Sequence, residues 1–291
     1  GTFGQWVYDR FLIATGKSSC FLFTLSVASC VNLILDPILI FALDMGISGA
    51  ALATIISQFI SFCLLFIGTR KSDNLNIYLR NFTPKPHYFK EIFKGGAPSL
   101  FRQGIGSVAS TCMNNVIAAV AAGMADPAIA AFSIVNRIMM FANSLVIGFG
   151  QGFQPVCGFN YGAKKYARVR EAFFFCVRLG TCVLLIAAAL GLMFAPQIIT
   201  VFRGDDEAVI EIGSLALRLQ CITMPLFAYV VLSNMMLQTI AQTFRASLLA
   251  VARQGLFFLP LILLFAYTMG LFGVQLTQPI ADLFSFILAL F

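Results

Sequence analysis

A single carboxylate, Asp36, stands in the middle of an apolar stretch that runs roughly from Ser18 to Leu43. Such a stretch can cross a bilayer, for which about 20 apolar residues suffice. An acid at that depth costs about 3 kcal/mol even on lenient insertion scales, so it normally faces a bundle interior or a wet cavity. Asn32 lies four residues earlier and therefore on the same helical face, one turn away. The pair predicts an ion or proton site.

Pro37 follows the acid directly and weakens the helix at the same point. It has no N–H to donate to the carbonyl oxygen of Leu33, so one hydrogen bond of the helix is missing there. We therefore predict that Pro37 acts as a hinge beside the candidate ion site.

The elements that must position these residues are membrane spans. Hydrophobic residues make up 59% of the 291 residues and charged residues 11%, whereas a soluble domain is about 25% charged. The sequence therefore predicts an all-α polytopic membrane protein with about eight transmembrane helices, and six or seven spans is the alternative. The apolar blocks cover 18–43, 46–69, 95–123, 127–158, 172–195, 208–239, 246–268 and 271–291.

The basic residues cluster in short segments between the apolar blocks and give the chain a net charge of +7. With eight spans, nearly all of these loop charges fall on one side, in 1–17, 70–94, 159–171 and 240–245. This is the asymmetry that the positive-inside rule assigns to cytoplasmic loops, and it would break with six or seven spans. The charge therefore indicates a membrane orientation, and we expect no nucleic-acid partner.

The segment 35–56 recurs at 259–280, with ten identities in 22 positions after a shift of 224 residues. Its spacing predicts two parallel copies of one bundle, related by an axis along the membrane normal. We expect residues 1–75 to belong to a first lobe, 76–94 to form a cytoplasmic linker, and 95–291 to form a second lobe. The same shift predicts about four further spans before residue 1, so the chain is interpreted as N-terminally incomplete.

Several motifs closely resemble those of the multidrug and toxic compound extrusion (MATE) transporters, in particular the MepA-like and DinF-like bacterial branch. The resemblance covers essentially the whole chain, and the last motif is the most specific. The motifs are Asn-x-x-x-Asp-Pro at 32–37, GISGAALA at 46–53, GAPSLFRQ at 96–103 and GFGQGFQPVCGFNYGA at 148–163.

The resemblance implies helices five to twelve of a twelve-helix, two-lobed fold in the bacterial cytoplasmic membrane. It implies export of amphipathic, cationic compounds in exchange for H⁺ or Na⁺, with no other cofactor. We expect the protein to be a monomer whose partners are these compounds and the membrane lipids. Asn32 and Asp36 match the first-lobe cation or proton site, which in the family also uses an acid of the first helix. The NorM-like branch has a glutamate where this chain has Gly106, so second-lobe coupling of that kind is not expected.

Polar residues in the third and fourth spans are candidates to line a substrate cavity, and the alternative is hydrogen bonding between helices. The arginines among them could instead pair with a carboxylate or reach the membrane interface. Asp282, in the last span, could line a cavity or lie near a helix end. The candidates are Arg102, Gln103, Asn114, Asn115, Arg137, Gln151 and Gln154.

Two other functions are alternatives to antiport. A lipid-linked polysaccharide flippase of the same superfamily would need a strongly cationic cavity, and whether Arg102 and Arg137 face that cavity would discriminate. Five arginines within or near the ends of spans support this alternative: Arg102, Arg137, Arg178, Arg218 and Arg253. An enzyme is not expected, because His87 is the only histidine and no catalytic set can be assembled around it. The eight cysteines form no CxxC pair, which leaves metal ligation unsupported. A chain lacking four helices could also be inactive by itself.

Overall fold

A computed structural model describes residues 7–9, 18–70, 85–121, 123–203 and 206–291 of the chain. Within these ranges every regular element is helical and no strand occurs. The described residues divide into two compact units, one before residue 85 and one from Lys85 to Phe291. We call them the first unit and the second unit.

The first unit contains a helical hairpin. Helix α1 (Ser18–Pro37) continues into a short π-helical segment (Ile38–Ala42), and α2 (Gly46–Arg70) returns along it. Residues at every fourth position of α2 are buried, and most of them are small, which permits close packing of helices. These positions are Gly49, Ala53, Ser57, Ser61 and Leu65.

The second unit is a bundle in which α6 is the central helix. Its helices are α3 (Pro86–Val120), α4 (Ala125–Gly162), α5 (Tyr166–Phe202), α6 (Glu207–Thr239), α7 (Thr243–Val251), a π-helical segment (Ala252–Phe257) and α8 (Phe258–Leu290). Helix α6 packs against α4, α5, α7 and α8. Apolar side chains such as Leu217, Phe132 and Ile262 fill the space between these helices.

Helix α8 is broken at Gly270, whose φ of 63° and ψ of −139° are not helical. The break separates residues 258–269 from 271–290, so each of the eight predicted spans corresponds to a helical segment. Six helices of the described chain, among them Thr243–Leu290 with its break, are long and apolar enough to cross a membrane. The prediction of an all-α polytopic membrane protein is confirmed.

The two copies of the sequence repeat share one turn geometry. Gly46 and its counterpart Gly270 both have positive φ, 52° and 63°, a conformation that side chains disfavour. Three residues later, a β-carbon on Gly49 would lie 2.7 Å from the carbonyl oxygen of Leu39, and one on Gly273 would clash with that of Phe265. Both pairs of identical glycines therefore serve the same tight helix–turn–helix connection.

Large apolar side chains cover much of the outer surface, as a bilayer requires. Phe41, Ile47 and Tyr267 are 80%, 92% and 88% exposed. An apolar surface of this extent would make a soluble monomer aggregate, because contiguous exposed apolar patches are normally small. The helices thus present to lipid the side chains that a soluble protein would bury.

Helix α3 begins inside the segment that we predict to be a linker. Lys85 is extended, with φ of −90° and ψ of 136°, and Pro86 occupies the start of the helix. Proline is favoured there because the first helical N–H groups have no partner within the helix. Residues 86–94 therefore form a helical extension at the N-terminal end of the predicted span 95–123.

Candidate functional site

Asn32 and Asp36 lie on the protected face of α1. Both are half-buried, whereas the intervening Leu33 and Ile34 are 74% and 59% exposed. The Nδ2 atom of Asn32 and the Oδ1 atom of Asp36 are buried, and neither has a hydrogen-bond partner among the described residues. Buried polar atoms are nearly always satisfied, so two orphaned atoms one helical turn apart indicate a place prepared for an ion, a proton or water.

The α-helix ends immediately after this pair. Pro37 closes α1, and the next five residues, Ile38–Ala42, form a π-helix. π-Helical turns are rare and occur frequently at functional sites. Irregular backbone of this kind can change conformation at lower cost than a regular helix, which suits the hinge predicted at Pro37.

The second unit contains a partly open cavity of about 500 Å³, lined by both polar and apolar side chains, between α3, α4, α6 and the α7–α8 region. A volume of this size is typical of small-molecule sites. Apolar side chains such as Met139, Phe227 and Val231 form part of its wall. Its polar lining includes two arginines, Arg102 and Arg253, and is dominated by amide side chains. The amides are Gln103, Asn136, Asn143, Gln220, Asn234, Gln254 and Gln278.

One of the two arginines is neutralised. Arg253, in the π-helical segment, donates from Nε to Oδ1 of Asp282 at 2.6 Å and from Nη2 to Oδ2 at 3.4 Å. Gln278 donates to the same carboxylate at 2.8 Å, and the guanidinium lies 4.2 Å from the ring centroid of Phe227. The side chains of Arg253 and Asp282 are only 18% and 6% exposed. The carboxylate of this ion pair is buried, and the guanidinium is partly exposed to the cavity.

Gly106 also lines the cavity. A β-carbon at this position would lie 2.8 Å from Oε1 of Gln254, so the amide of Gln254 occupies the space that a side chain would need. A glutamate there would have to displace Gln254. The geometry is consistent with the absence of a coupling acid from this place in the second unit.

The predicted cavity residues lie in different places. Arg102 and Gln103 line the cavity, whereas Asn115 lines a separate groove with Thr111 and Leu263. Arg137 is exposed on α4 and does not line the cavity, although its neighbour Asn136 does. Successive side chains of a helix point about 100° apart, so these two face different directions.

Three further candidates follow the cavity-facing rows of their helices but are not part of its lining. Asn114 lies one turn beyond Ser110 on α3, and Gln151 lies one turn beyond Ile147 on α4. Gln154 lies a further turn along α4.

The comparisons with known proteins agree with this architecture. The family model MatE matches residues 104–264, which is more than half of the chain. The chain belongs to the MatE family. This confirms the resemblance to MATE transporters that the motifs indicate, and with the apolar helices it identifies a multi-pass membrane protein.

The curated MatE relatives are longer than this chain. It is 26% identical over 288 residues to a multidrug export protein MepA of Staphylococcus haemolyticus, covering 98% of this chain and 62% of the relative. It is 27% identical over 282 residues to the MepA protein of Staphylococcus saprophyticus, covering 95% and 60%. The chain thus spans about three fifths of the length of these relatives.

Solved MatE-type structures share the fold. A MOP-superfamily transporter from Pyrococcus furiosus, described as having a binding pocket of reverse polarity, superimposes with a TM-score of 0.89 at 24% identity, covering 98% of this chain and 64% of that one. A Vibrio cholerae MATE transporter, VcmN, gives a TM-score of 0.89 at 21% identity, covering 98% and 64%. At these identities the likeness establishes the fold.

Sequence reasoning left the Arg253–Asp282 pair unassigned, although a signal for it exists in the chain. The two residues lie in consecutive spans, on either side of the turn at Gly270. Folding a hairpin about Gly270 leaves the depths of positions 253 and 282 within about 7 Å of each other along the helices, and a long arginine side chain can span that difference to pair with a buried carboxylate.

Proposed function

We propose that the chain works as the gradient-coupled part of a secondary antiporter that exports amphipathic compounds, with Asp36 and Asn32 as the coupling site. The observation that carries this proposal is the pair of buried, unpartnered polar atoms on the protected face of α1. Membership of the MatE family and the similarity to multidrug export proteins support it.

The chemistry of the site follows from the cost of burying charge. A carboxylate without a partner in apolar surroundings is stabilised when it takes up H⁺ or Na⁺, since either ion removes the uncompensated charge. Asn32 would supply an amide oxygen to Na⁺ or a hydrogen bond to the carboxyl group. Hard cations such as Na⁺ prefer oxygen ligands, and both side chains can offer them.

Ion binding would be coupled to a change of conformation through the adjacent backbone. The π-helical segment begins directly after Pro37, so a change in charge at Asp36 acts on the least regular part of this hairpin. A ligand shifts a conformational equilibrium only by its difference in affinity for the two states. Alternating hydration of Asp36 in inward-open and outward-open states would provide that difference.

The lipid-linked polysaccharide flippase has weaker support. Of the five arginines within or near the ends of spans, only Arg102 and Arg253 line the cavity, and Arg253 is paired with Asp282. Arg102 alone remains to bind a pyrophosphate, which carries several charges. The unpartnered acid of the first unit has no evident role in such a flippase.

Ion-driven efflux of ethidium from proteoliposomes tests the proposal. Asp36→Asn should reduce coupled efflux to the level of empty vesicles while the protein inserts normally. Asp44→Asn is the matched control: it removes a nearby exposed charge, and its φ of 50° is one that asparagine tolerates. Wild-type efflux by Asp36→Asn would refute the assigned role.

A second arm of the experiment tests whether efflux needs the additional length that the relatives have. The chain is reconstituted alone and also fused behind the additional helices that the sequence repeat predicts. Efflux that requires the fusion and is still lost in Asp36→Asn places the coupling step in this chain and the remaining pathway in the added helices.

A further inference from the structure

The second-unit cavity differs in charge from what an exporter of cations would be expected to present. Its lining contains two guanidinium groups and no acidic side chain among the described residues. The nearest acid that the hydrogen bonds reveal, Asp282, is held by Arg253 and Gln278 and is therefore not available to a ligand. The formal charge offered to a bound molecule is thus positive.

Arg102 is the source of that charge. It is half-buried on α3 and forms no ion pair within the described part of the chain, in contrast to Arg253. A guanidinium within a membrane span is costly unless an anion, a carbonyl group or water accompanies it. Its planar fork of N–H donors matches two oxygens of a carboxylate, sulfonate or phosphate.

The rest of the lining has the properties of a site for an amphipathic molecule. Met139, Met140 and Ile147 form an apolar wall along α4, and methionine adapts to ligands of different shapes. On the same helix, Oδ1 of Asn143 is buried without a hydrogen-bond partner among the described residues. The cavity therefore combines one charge, several amides and an adaptable apolar surface.

We propose that this cavity binds the oxyanion end of an amphipathic organic anion, with the Arg102 guanidinium as its counter-ion. The proposal rests on the proposed function and deepens it by naming an amphipathic anion as a ligand of the second-unit cavity, in addition to the cationic substrate that the efflux assay uses. The apolar body of the ligand would lie against the methionines of α4, and neutral amides would orient it without adding charge.

Binding to the full chain in detergent provides the test, with three ligands that share one apolar body: 4-phenylbutyrate, 4-phenylbutanol and 4-phenylbutylammonium. Ligand-induced thermal stabilisation reports affinity, because a ligand that binds only the folded state raises its stability. The wild-type chain should bind the carboxylate most tightly. Arg102→Gln should weaken carboxylate binding about tenfold, as expected for the loss of a charge-assisted hydrogen bond, and leave alcohol binding within about twofold.

Arg137→Gln is the matched control, since it makes the same change of charge on a neighbouring helix at an exposed position outside the cavity. It should leave carboxylate binding unchanged. Asn143→Asp provides an independent, nearly isosteric variant, which brings the formal charge that the cavity offers to a ligand to zero and should abolish the preference for the carboxylate over the ammonium ligand. Equal carboxylate binding by the wild type and Arg102→Gln, or tighter binding of the ammonium ligand by the wild type, would overturn the proposal.

A phosphate ester with the same body, 4-phenylbutyl phosphate, distinguishes a free solute from a lipid headgroup. Arg102-dependent binding of the ester and the carboxylate with similar affinity supports a general oxyanion site, and Arg102-dependent binding of both with clearly higher affinity for the ester supports a phosphate group, as in a lipid headgroup, as the preferred ligand. These measurements need no ion gradient. Failure of anion binding would therefore leave the coupling role of Asp36 intact, and failure of coupling would leave the binding result unaffected.

Discussion

The two copies of the repeated hairpin have the same turn and different chemistry. In the first unit the α1–α2 hairpin turns at Gly46 and carries an acid, Asp36, that has no hydrogen-bond partner at Oδ1 among the described residues. In the second unit the hairpin turns at Gly270, and its acid, Asp282, is held by Arg253 and Gln278. The two acids are not equivalent in the repeat, because the shift of 224 residues places Pro260 opposite Asp36 and Gln58 opposite Asp282. The duplicated scaffold thus shares its turn, and each copy carries its acid at a different position.

The difference in hydrogen bonding between Asp36 and Asp282 indicates which acid is free to exchange cations. A carboxylate bonded to a guanidinium already has its counter-charge, so uptake of H⁺ or Na⁺ would have to break that pair. A carboxylate without a partner gains stabilisation from either ion. We therefore assign exchange to the first unit and structural stabilisation to the acid of the second unit.

The largest expected effect comes from breaking the ion pair of the second unit. Asp282→Ala removes the counter-ion of the Arg253 guanidinium; this costs about 3–5 kcal/mol of the free energy of unfolding for a fully buried pair, and about 3 kcal/mol is expected here because Arg253 is partly exposed to the cavity. The thermal unfolding midpoint of the detergent-solubilised chain should fall accordingly. Asp36→Ala, in the first unit, should leave the midpoint unchanged or raise it.

The control for this prediction removes both charges together. The double variant Arg253→Met, Asp282→Leu should recover most of the lost stability, since well-packed apolar residues can replace a buried pair. A wild-type midpoint in Asp282→Ala would mean that the pair contributes nothing, and the contrast between the two acids would be lost.

An intermediate effect is expected at the glycines that the two hairpins share. Gly49→Ala and Gly273→Ala each force a β-carbon against a backbone carbonyl that cannot swing away, that of Leu39 and that of Phe265. Overpacking of this kind costs about 1–3 kcal/mol, so both variants should unfold at lower temperature. Differential scanning fluorimetry measures the fall in the unfolding midpoint of each variant. Equal falls would show that the two copies depend on the turn to the same degree.

Gly148→Ala is the matched control for the shared glycines. Gly148 lies within α4, and a β-carbon there would meet no atom within 4 Å. Alanine is favoured over glycine inside a helix by up to about 1 kcal/mol, so this variant should be neutral or stabilised. Destabilisation of Gly148→Ala equal to that of Gly273→Ala would contradict a specific effect of the turn.

The smallest effect is expected at the exposed ion pair near the start of α3. Lys94 donates to Glu91 at 3.1 Å, and its hydrogen bond and charge lower the pKa of Glu91 below the ordinary value. A lowered pKa gives stabilisation that is present at neutral pH and lost as the pH falls through the lowered value. Solvent screens this pair, so Glu91→Gln should leave the thermal midpoint at neutral pH unchanged. A clear fall in Glu91→Gln would show that exposed pairs also matter in this chain.

Much of the fold could be predicted from the sequence because apolar run length decides where helices cross a bilayer. The block 208–239 corresponds to Glu207–Thr239, and Gly270, which separates the last two blocks, is the residue that breaks α8. The π-helical segments at 38–42 and 252–257 could not be predicted, since the choice between π- and α-helical hydrogen bonding there depends on packing against other helices. The start of α3 at Pro86 was obscured by its polar composition.

The candidate sites were predictable to different degrees. Asp36 and Asn32 stand out in sequence because a carboxylate within a membrane span is costly and is seldom kept there without a function. Which face of α4 lines the cavity could not be predicted, since Asn136 and Arg137 are adjacent and only the packing of α4 decides between them. The partner of Arg253 required the hairpin geometry about Gly270.

The most direct test of the central claim is infrared difference spectroscopy of the carboxylate groups when Na⁺ is added to the reconstituted chain at constant pH. The account predicts a Na⁺-induced carboxylate band that is absent in Asp36→Asn and that remains in Asp282→Asn. A band that persists in Asp36→Asn and disappears in Asp282→Asn would contradict it, because the exchanging acid would then lie in the second unit.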